Sequence, residues 1–178
     1  MNKPKQIVRK QAAKKQNAKN SSRRSARIPE KIWIRHEPGY RTRHIGKYDK
    51  GNQFMAFIVA AGPRNRLFNI KWYAALHLFD REGNHTESHI VYLGSSQSAG
   101  ALGGGWTSEE MDEFLDDIVH ELGNVRYCDI RIKLFSVKFD GHRFGLVDAS
   151  IPKKHYVRVD LLPNDLAFFP PWNGDYET

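Results

Sequence analysis

Basic side chains are concentrated at the start of the chain. The first 27 residues hold ten Lys and Arg and no Asp or Glu, whereas the remaining residues hold 18 Lys and Arg against 20 Asp and Glu. Cations spread along a flexible segment neutralise the phosphates of nucleic acids but read little base sequence. We therefore expect this segment to contact an acidic partner without sequence specificity, with nucleic acid favoured, through Lys3, Lys5, Arg9, Lys10, Lys14, Lys15, Lys19, Arg23, Arg24 and Arg27.

The basic segment is also compatible with roles that do not involve nucleic acid. It could serve solubility or turnover, or it could dock on another acidic surface, including the acidic face of a helix predicted later in the same chain. It has no aromatic residue before Trp33 on which a base could stack, and no folded recognition motif. The charge pattern thus predicts a class of partner and not a particular one.

A glycine-rich stretch, residues 94–105, leads directly into a predicted helix and is the second candidate site. Backbone amides at a helix N-terminus bind phosphate or carboxylate groups. The stretch has neither the lysine of a phosphate-binding loop nor the glycine spacing of a dinucleotide site, so a flexible connector is the favoured interpretation. The alternative is a small ligand-binding protein or enzyme with an anion site at Gly104, Gly105, Trp106, Thr107 and Ser108.

The remaining chemistry-bearing residues form no recognisable catalytic or metal-binding motif. His85 and His89 are separated by about 13 Å along a predicted strand, too far to share one metal ion. His77 is predicted to be buried and hydrogen-bonded, and Cys128, the only cysteine, to be an inert core residue. These observations favour a non-catalytic protein and predict neither a cofactor nor a metal site.

The composition divides the chain at residue 28. Residues 1–27 contain only Ile7 and Val8 as larger apolar groups, which cannot offset an ordering cost of roughly 1–2 kcal/mol per residue, so we predict a disordered tail. Residues 28–178 are predicted to form a single domain. A lone cysteine, no apolar signal segment and no long apolar run favour a cytoplasmic protein without membrane contact.

The domain is predicted to have an α+β fold, with an antiparallel sheet of about six to seven strands and one helix on one face. Two hairpins come first: residues 44–48 pair with 53–61, and residues 71–79 pair with 88–93, in each case around a polar turn. The strands at 53–61 and 71–79 are apolar on both faces. Such strands belong inside a sheet or under a covering element.

The helix is predicted over residues 108–122. Its apolar residues recur at helical spacing, Thr107 and Glu110 have capping-box spacing, and Gly123 can end the helix in the left-handed conformation. We expect it to cover the sheet through Phe114, Leu115, Ile118 and Leu122. Its other face is strongly acidic.

The C-terminal third is predicted to be mostly β. Residues 125–139 alternate but change phase near Leu134, which indicates a bulge in one long strand. Further strands are expected at residues 143–149 and 155–161. The prolines of the last segment disfavour a regular ladder, so an irregular strap packed on the sheet is expected, and an exposed patch that docks a protein partner is the alternative. The residues concerned are Phe168, Phe169, Pro170, Pro171, Trp172 and Tyr176.

Three runs carry a family resemblance: residues 37–48 with the following Gln53-Phe-Met-Ala, residues 71–80, and Pro170-Pro-Trp-Asn-Gly-Asp-Tyr. Together they resemble a family of small bacterial proteins labelled formate hydrogenlyase regulatory protein-like. The resemblance spans most of residues 33–178 and none of the basic tail. It implies a cytoplasmic, non-catalytic regulator, and it assigns a chemical role to none of the residues.

Overall fold

The computed structural model describes residues 27–62, 70–96, 106–154, 156–163 and 166–178. Within these residues the protein is mostly β, with antiparallel sheets and one α-helix, as the α+β prediction requires. No helix among them is long and apolar enough to cross a lipid bilayer.

The first sheet has five antiparallel strands and contains both predicted hairpins. Its strands are β2 (Ile45–Tyr48), β3 (Asn52–Ala61), β4 (Lys71–Phe79), β5 (His85–Ser95) and β6 (Arg126–Tyr127). Their spatial order is β5-β4-β3-β2-β6. Strand β2 pairs with β3 around the first turn, and β4 pairs with β5 around the second.

The second sheet also has five antiparallel strands, all from the C-terminal part of the chain. Its order is β12-β11-β10-β9-β8. A separate two-stranded ribbon pairs β1 (Ile32–Ile34) with β7 (Ile130–Ile132). The strands of the second sheet are β8 (Val137–Phe139), β9 (His142–Asp148), β10 (Val159–Leu162), β11 (Leu166–Phe168) and β12 (Tyr176–Glu177), with a 3₁₀ turn at Pro152–Lys154 before β10.

Strands β3 and β4 are covered on both faces, which explains their apolar character. One face, with Phe57, Val59 and Tyr73, packs into a core that also includes Phe144 and Leu161 of the second sheet and residues of the ribbon. The opposite face packs beneath the helix. Because side chains alternate along a strand, each of these two strands contributes to two separate cores.

Helix α1 (Ser108–His120) begins with the predicted capping box. Thr107 Oγ1 accepts a hydrogen bond from the Glu110 amide at 3.2 Å, and Glu110 Oε2 accepts one from the Thr107 amide at 2.7 Å. The buried residues that face the first sheet are Met111, Leu115 and Val119. The predicted contact residues Phe114, Ile118 and Leu122 are partly buried against the same core, so the apolar stripe is centred slightly away from its predicted position.

The prediction of a single sheet of six to seven strands is wrong. The second covering layer over β3 and β4 is another sheet, built from residues 137–177. The predicted long strand over residues 125–139 is likewise wrong, because it is divided into β6, β7 and β8, which join three different sheets. The phase change near Leu134 marks the passage from the ribbon to the second sheet and not a bulge.

The aromatic C-terminal segment is mainly packed. Phe168 is buried in the core between the sheets, and Trp172 and Tyr176 pack against that core. The segment is more regular than predicted, because β11 and β12 pair with each other on either side of Pro170 and Pro171. A protein partner at this segment stays a prediction, and the described residues provide no large exposed aromatic patch there.

Candidate nucleic-acid interface

The basic tail joins the folded part of the chain beside strand β1. Arg27, the one tail cation within the described residues, is exposed, and the next residue, Ile28, packs against the core between the sheets. The other nine predicted tail contacts, Lys3 to Arg24, lie outside the described residues. Ile28 therefore anchors the end of the tail, and Lys31, four residues after Arg27, immediately precedes β1.

A basic groove lies next to this anchor. It has a volume of about 480 Å³ and is lined by four cations, one carboxylate, one amide and one tryptophan: Lys31, Lys47, Arg81, Arg131, Asp129, Gln53 and Trp33. Positive charge with an aromatic ring is the combination that binds a nucleic-acid strand. The folded part of the chain is net negative in sequence, yet at this groove cations outnumber carboxylates four to one.

Trp33 is held in place at the groove by two contacts. The guanidinium of Arg131 lies 5.0 Å from the centre of its ring, a cation–π contact. The indole Nε1–H donates to Asp129 Oδ2 at 3.2 Å, and the other oxygen of that carboxylate accepts from the backbone amide of His36 at 2.9 Å. The one carboxylate of the groove is thereby engaged in orienting the aromatic ring.

Gln53 links the β4–β5 turn, which carries Arg81, to Arg131 of β7. It is almost fully buried, and its side-chain nitrogen donates to the carbonyls of Asp80 and Arg131 at 3.2 and 3.1 Å. Its side-chain oxygen accepts from the Arg131 amide at 2.8 Å. Buried amides with all these bonds satisfied fix their surroundings rigidly, so the β4–β5 turn is held against β7.

Gly83 allows the same turn to approach β7 closely. A Cβ atom at this position would lie 2.5 Å from the carbonyl oxygen of Arg131, and the residue has a φ of +79°. Both conditions favour glycine. The Lys133 amide then donates to the Gly83 carbonyl at 2.8 Å. This contact brings Arg81 of the turn to the side of the groove that Arg131 lines.

Several cations of the groove are not neutralised. Lys31 lies 3.7 Å from Glu82, at the outer limit of an ion pair, and Glu82 is largely exposed. Within the described part of the chain, neither Lys47 nor Arg81 forms an ion pair, and Arg81 and Arg131 are exposed. Exposed cations that have no carboxylate partner can exchange their solvent and counterions for phosphates.

A second cleft lies at the N-terminal end of α1, where the anion site was predicted. It has a volume of about 540 Å³ and is lined by Arg41, Arg43, His44, Trp72 and Ser108 together with apolar residues of β3 and α1. Two of its three basic side chains have acidic partners on α1, because Arg43 pairs with Asp112 and His44 Nε2 lies 2.9 Å from Asp116 Oδ1. Burial lowers the pKa of the His44 imidazole, although Asp116 opposes the shift.

The predicted anion site is only partly present in this cleft. Ser108 lines it, but Trp106 packs against Phe114, with ring centres 5.5 Å apart. The Thr107 hydroxyl and the amides of Thr107 and Glu110 are engaged in the capping box. Gly104 and Gly105 lie outside the described residues. The cleft is therefore less suited to an anion than the groove at Trp33.

The prediction for His77 is confirmed, and the prediction for Cys128 is wrong. His77 is fully buried, and its Nδ1 lies 2.6 Å from Ser88 Oγ, as predicted for a structural histidine. Cys128 is half-buried, so its placement in the core is wrong. No group of three or more potential metal ligands occurs among the residues that the structure describes.

Comparison of the chain with protein-family models, curated proteins and solved structures gave no match. The resemblance to the formate hydrogenlyase regulatory protein-like family therefore stays an expectation. The evidence on function comes from the charges and geometry of the chain itself.

The groove residues were not identified from the sequence. They come from β1 and the residue before it, β2, β3, the β4–β5 turn, and β7 and the residue before it, which are separated by up to a hundred residues. The available signal was local: Trp33 stands among Lys31 and Arg35 just after the basic tail. That pattern alone does not show that Lys47 and Arg81 join the same surface.

Proposed function

We propose that the protein is a non-catalytic interaction or regulatory protein whose basic tail binds nucleic acid without sequence specificity. The observation that carries this proposal is the position of the basic groove, which lies where the tail joins the folded chain. Arg27 and Lys31 are at most about 13 Å apart along the chain, so the described end of the tail lies close to a cation of the groove. The sequence of the tail holds ten cations, and four more line the groove.

The charge distribution explains how such a surface works in a chain whose folded part is net negative. The acidic face of α1 carries Glu109, Asp112, Glu113, Asp116 and Asp117, and two of these carboxylates pair with Arg43 and His44. Surface charges separated by more than about 8–10 Å are largely screened at physiological salt. Local cations at the groove can therefore attract phosphate despite the overall balance.

The alternative function is a small ligand-binding protein or enzyme with an anion site at the helix N-terminus. The cleft beside Ser108 and Arg43 supports it by volume and position. The ion pairs of Arg43 and His44 argue against it, because an anion that bound these two residues would have to displace Asp112 or Asp116. The nucleic-acid proposal requires no such exchange.

Removal of residues 1–27 tests the tail directly. The affinity of the full chain for mixed-sequence duplex DNA should fall as salt increases. For each log unit of salt, log affinity should decrease by about 0.9 for every phosphate that the protein neutralises. The truncated chain should lose this salt-sensitive binding to duplex, and its unfolding midpoint should stay nearly unchanged. Fluorescence anisotropy across a salt series and thermal unfolding of both proteins measure the two effects.

Two outcomes would contradict the proposal. If the truncated chain binds duplex as tightly as the full chain, the tail is not the binding element. If the full chain does not bind at low salt, nucleic acid is not its partner, and the tail serves another acidic surface.

A further inference from the structure

We propose that the groove at Trp33 is a stacking site that makes the protein prefer single-stranded over double-stranded nucleic acid. This inference rests on the proposed function and names its substrate class. The tail supplies cations that bind the phosphates of either form and do not contact unpaired bases by stacking. The groove adds a planar aromatic ring, which only unpaired bases can use.

Trp33 has the environment that base stacking requires. Its ring is partly exposed, it lines the groove, and the Asp129 and Arg131 contacts hold it in one orientation before any ligand binds. A ring that is already oriented loses little conformational entropy on binding. Arg131 adds a second planar group beside the indole, and guanidinium planes also stack on bases.

The cations around Trp33 are placed for the backbone of the same strand. Lys31 lies between the tail and β1, Lys47 lies on β2, and Arg81 lies on the turn that Gln53 and Gly83 hold against β7. A volume of about 480 Å³ accommodates unpaired nucleotides one at a time. A duplex keeps its bases stacked within the helix and cannot present a free base face to the ring.

The remaining side-chain clusters of the described residues are less suited to a ligand. In the cleft at α1, Arg43 and His44 are paired with carboxylates, and in the His77–Ser88–His85 cluster both imidazoles contact the Ser88 hydroxyl and pack against Phe135. The groove at Trp33 is the site where unpaired cations and a partly exposed aromatic ring coincide and where the tail begins.

The test compares a short mixed-sequence single strand with the duplex of the same sequence, both bound to the full chain. Trp33→Leu should weaken binding of the single strand by about tenfold, since one stacked base contributes roughly that much or more. Duplex binding should stay within about twofold, because the tail is unchanged. Fluorescence anisotropy at one fixed, moderate salt concentration gives both affinities.

A second variant guards against misfolding at position 33. Lys47→Glu/Arg81→Glu changes two surface side chains and should also weaken single-strand binding more than duplex binding. The matched control is Lys138→Glu/Arg143→Glu, which alters the charge equally on an exposed cross-strand pair of the second sheet. The control should leave the preference for single strands unchanged.

The inference is overturned if the full chain binds both forms equally, or if Lys47→Glu/Arg81→Glu and its control have the same effect on single strands. Those results would leave the proposed function intact, because duplex binding through the tail would persist. A full chain that binds neither form at low salt would instead contradict the proposed function itself.

Discussion

Leu115→Ala is expected to lower the free energy of unfolding by about 2–5 kcal/mol. Leu115 is 1% exposed and lies at the centre of the helix face that packs on β3 and β4. The truncation removes buried methyl groups and leaves a cavity that the rigid sheet cannot fill. Chemical denaturation of the full chain and the variant measures the difference.

Glu113→Ala is the matched control on the same helix. Glu113 is exposed and alanine is a good helix former, so this change should stay within about 0.5 kcal/mol. Near-equal stabilities for Leu115→Ala and the unaltered protein would show that the helix does not pack on the first sheet as described.

Acidification from pH 6.5 to pH 5 is expected to destabilise the protein by on the order of 2 kcal/mol through His77 alone. Burial lowers the pKa of this imidazole to about 3, and the neighbouring His85 adds to the decrease. Its Nε2 has no hydrogen-bond partner among the described residues and is enclosed by Phe57 and Phe135, so the charged form is poorly accommodated.

The direction of the change in stability with pH follows from the protons that the folded and unfolded states bind. Between pH 6.5 and about pH 3, the unfolded chain carries a protonated His77, whereas the folded chain keeps this imidazole neutral. The unfolded state therefore binds the extra proton, and stability falls as the pH decreases. The stability that is lost through His77 on acidification is fully present above pH 6.5.

His77→Asn identifies the contribution of this residue. The variant retains a polar atom for Ser88 but does not titrate. The slope of its unfolding free energy against pH should therefore be smaller, by the amount that corresponds to about one bound proton. Val59→Ala is the control, because it damages the same core without removing a titratable group. Urea denaturation at several pH values between 7 and 5 gives the slopes, and an equal slope in His77→Asn and the unaltered protein would contradict the account.

Local features of the fold are well specified by the sequence. The two hairpins, the capping box of α1 and the burial of His77 depend on residues close together in the chain or on one alternating strand. The apolar character of both faces of β3 and β4 indicated a cover on each side. It did not indicate that the second cover is another sheet.

Long-range pairing limited the rest of the prediction. Residues 130–132 pair with β1, and residues 137–139 pair with β9, so the partners of one alternating run are decided by segments far apart in the sequence. No turn residue marks the break between them. Strand β1 itself was not predicted, because it has only three residues and its partner β7 lies about a hundred residues further along the chain.

The same limit applies to the candidate site. The tail was evident from composition, since its charge is local. The groove required the contacts of Gln53 and Gly83, which bring β7 and the β4–β5 turn together across about fifty residues of chain. The sequence named an anion site at the helix N-terminus only as the alternative to a flexible connector, and in the cleft at α1 Arg43 and His44 are paired with acidic residues of the helix.

The central claim is that the tail binds nucleic acid through its charge and not through its sequence. Its most direct test compares the salt dependence of binding to mixed-sequence DNA for three full-length proteins: the unaltered chain, a chain with residues 2–27 in scrambled order, and a chain whose ten tail cations are replaced by Gln. The account predicts equal slopes of log affinity against log salt for the first two and a much smaller slope for the third. A scrambled tail that loses binding, or a Gln-substituted tail that retains the full slope, would contradict it.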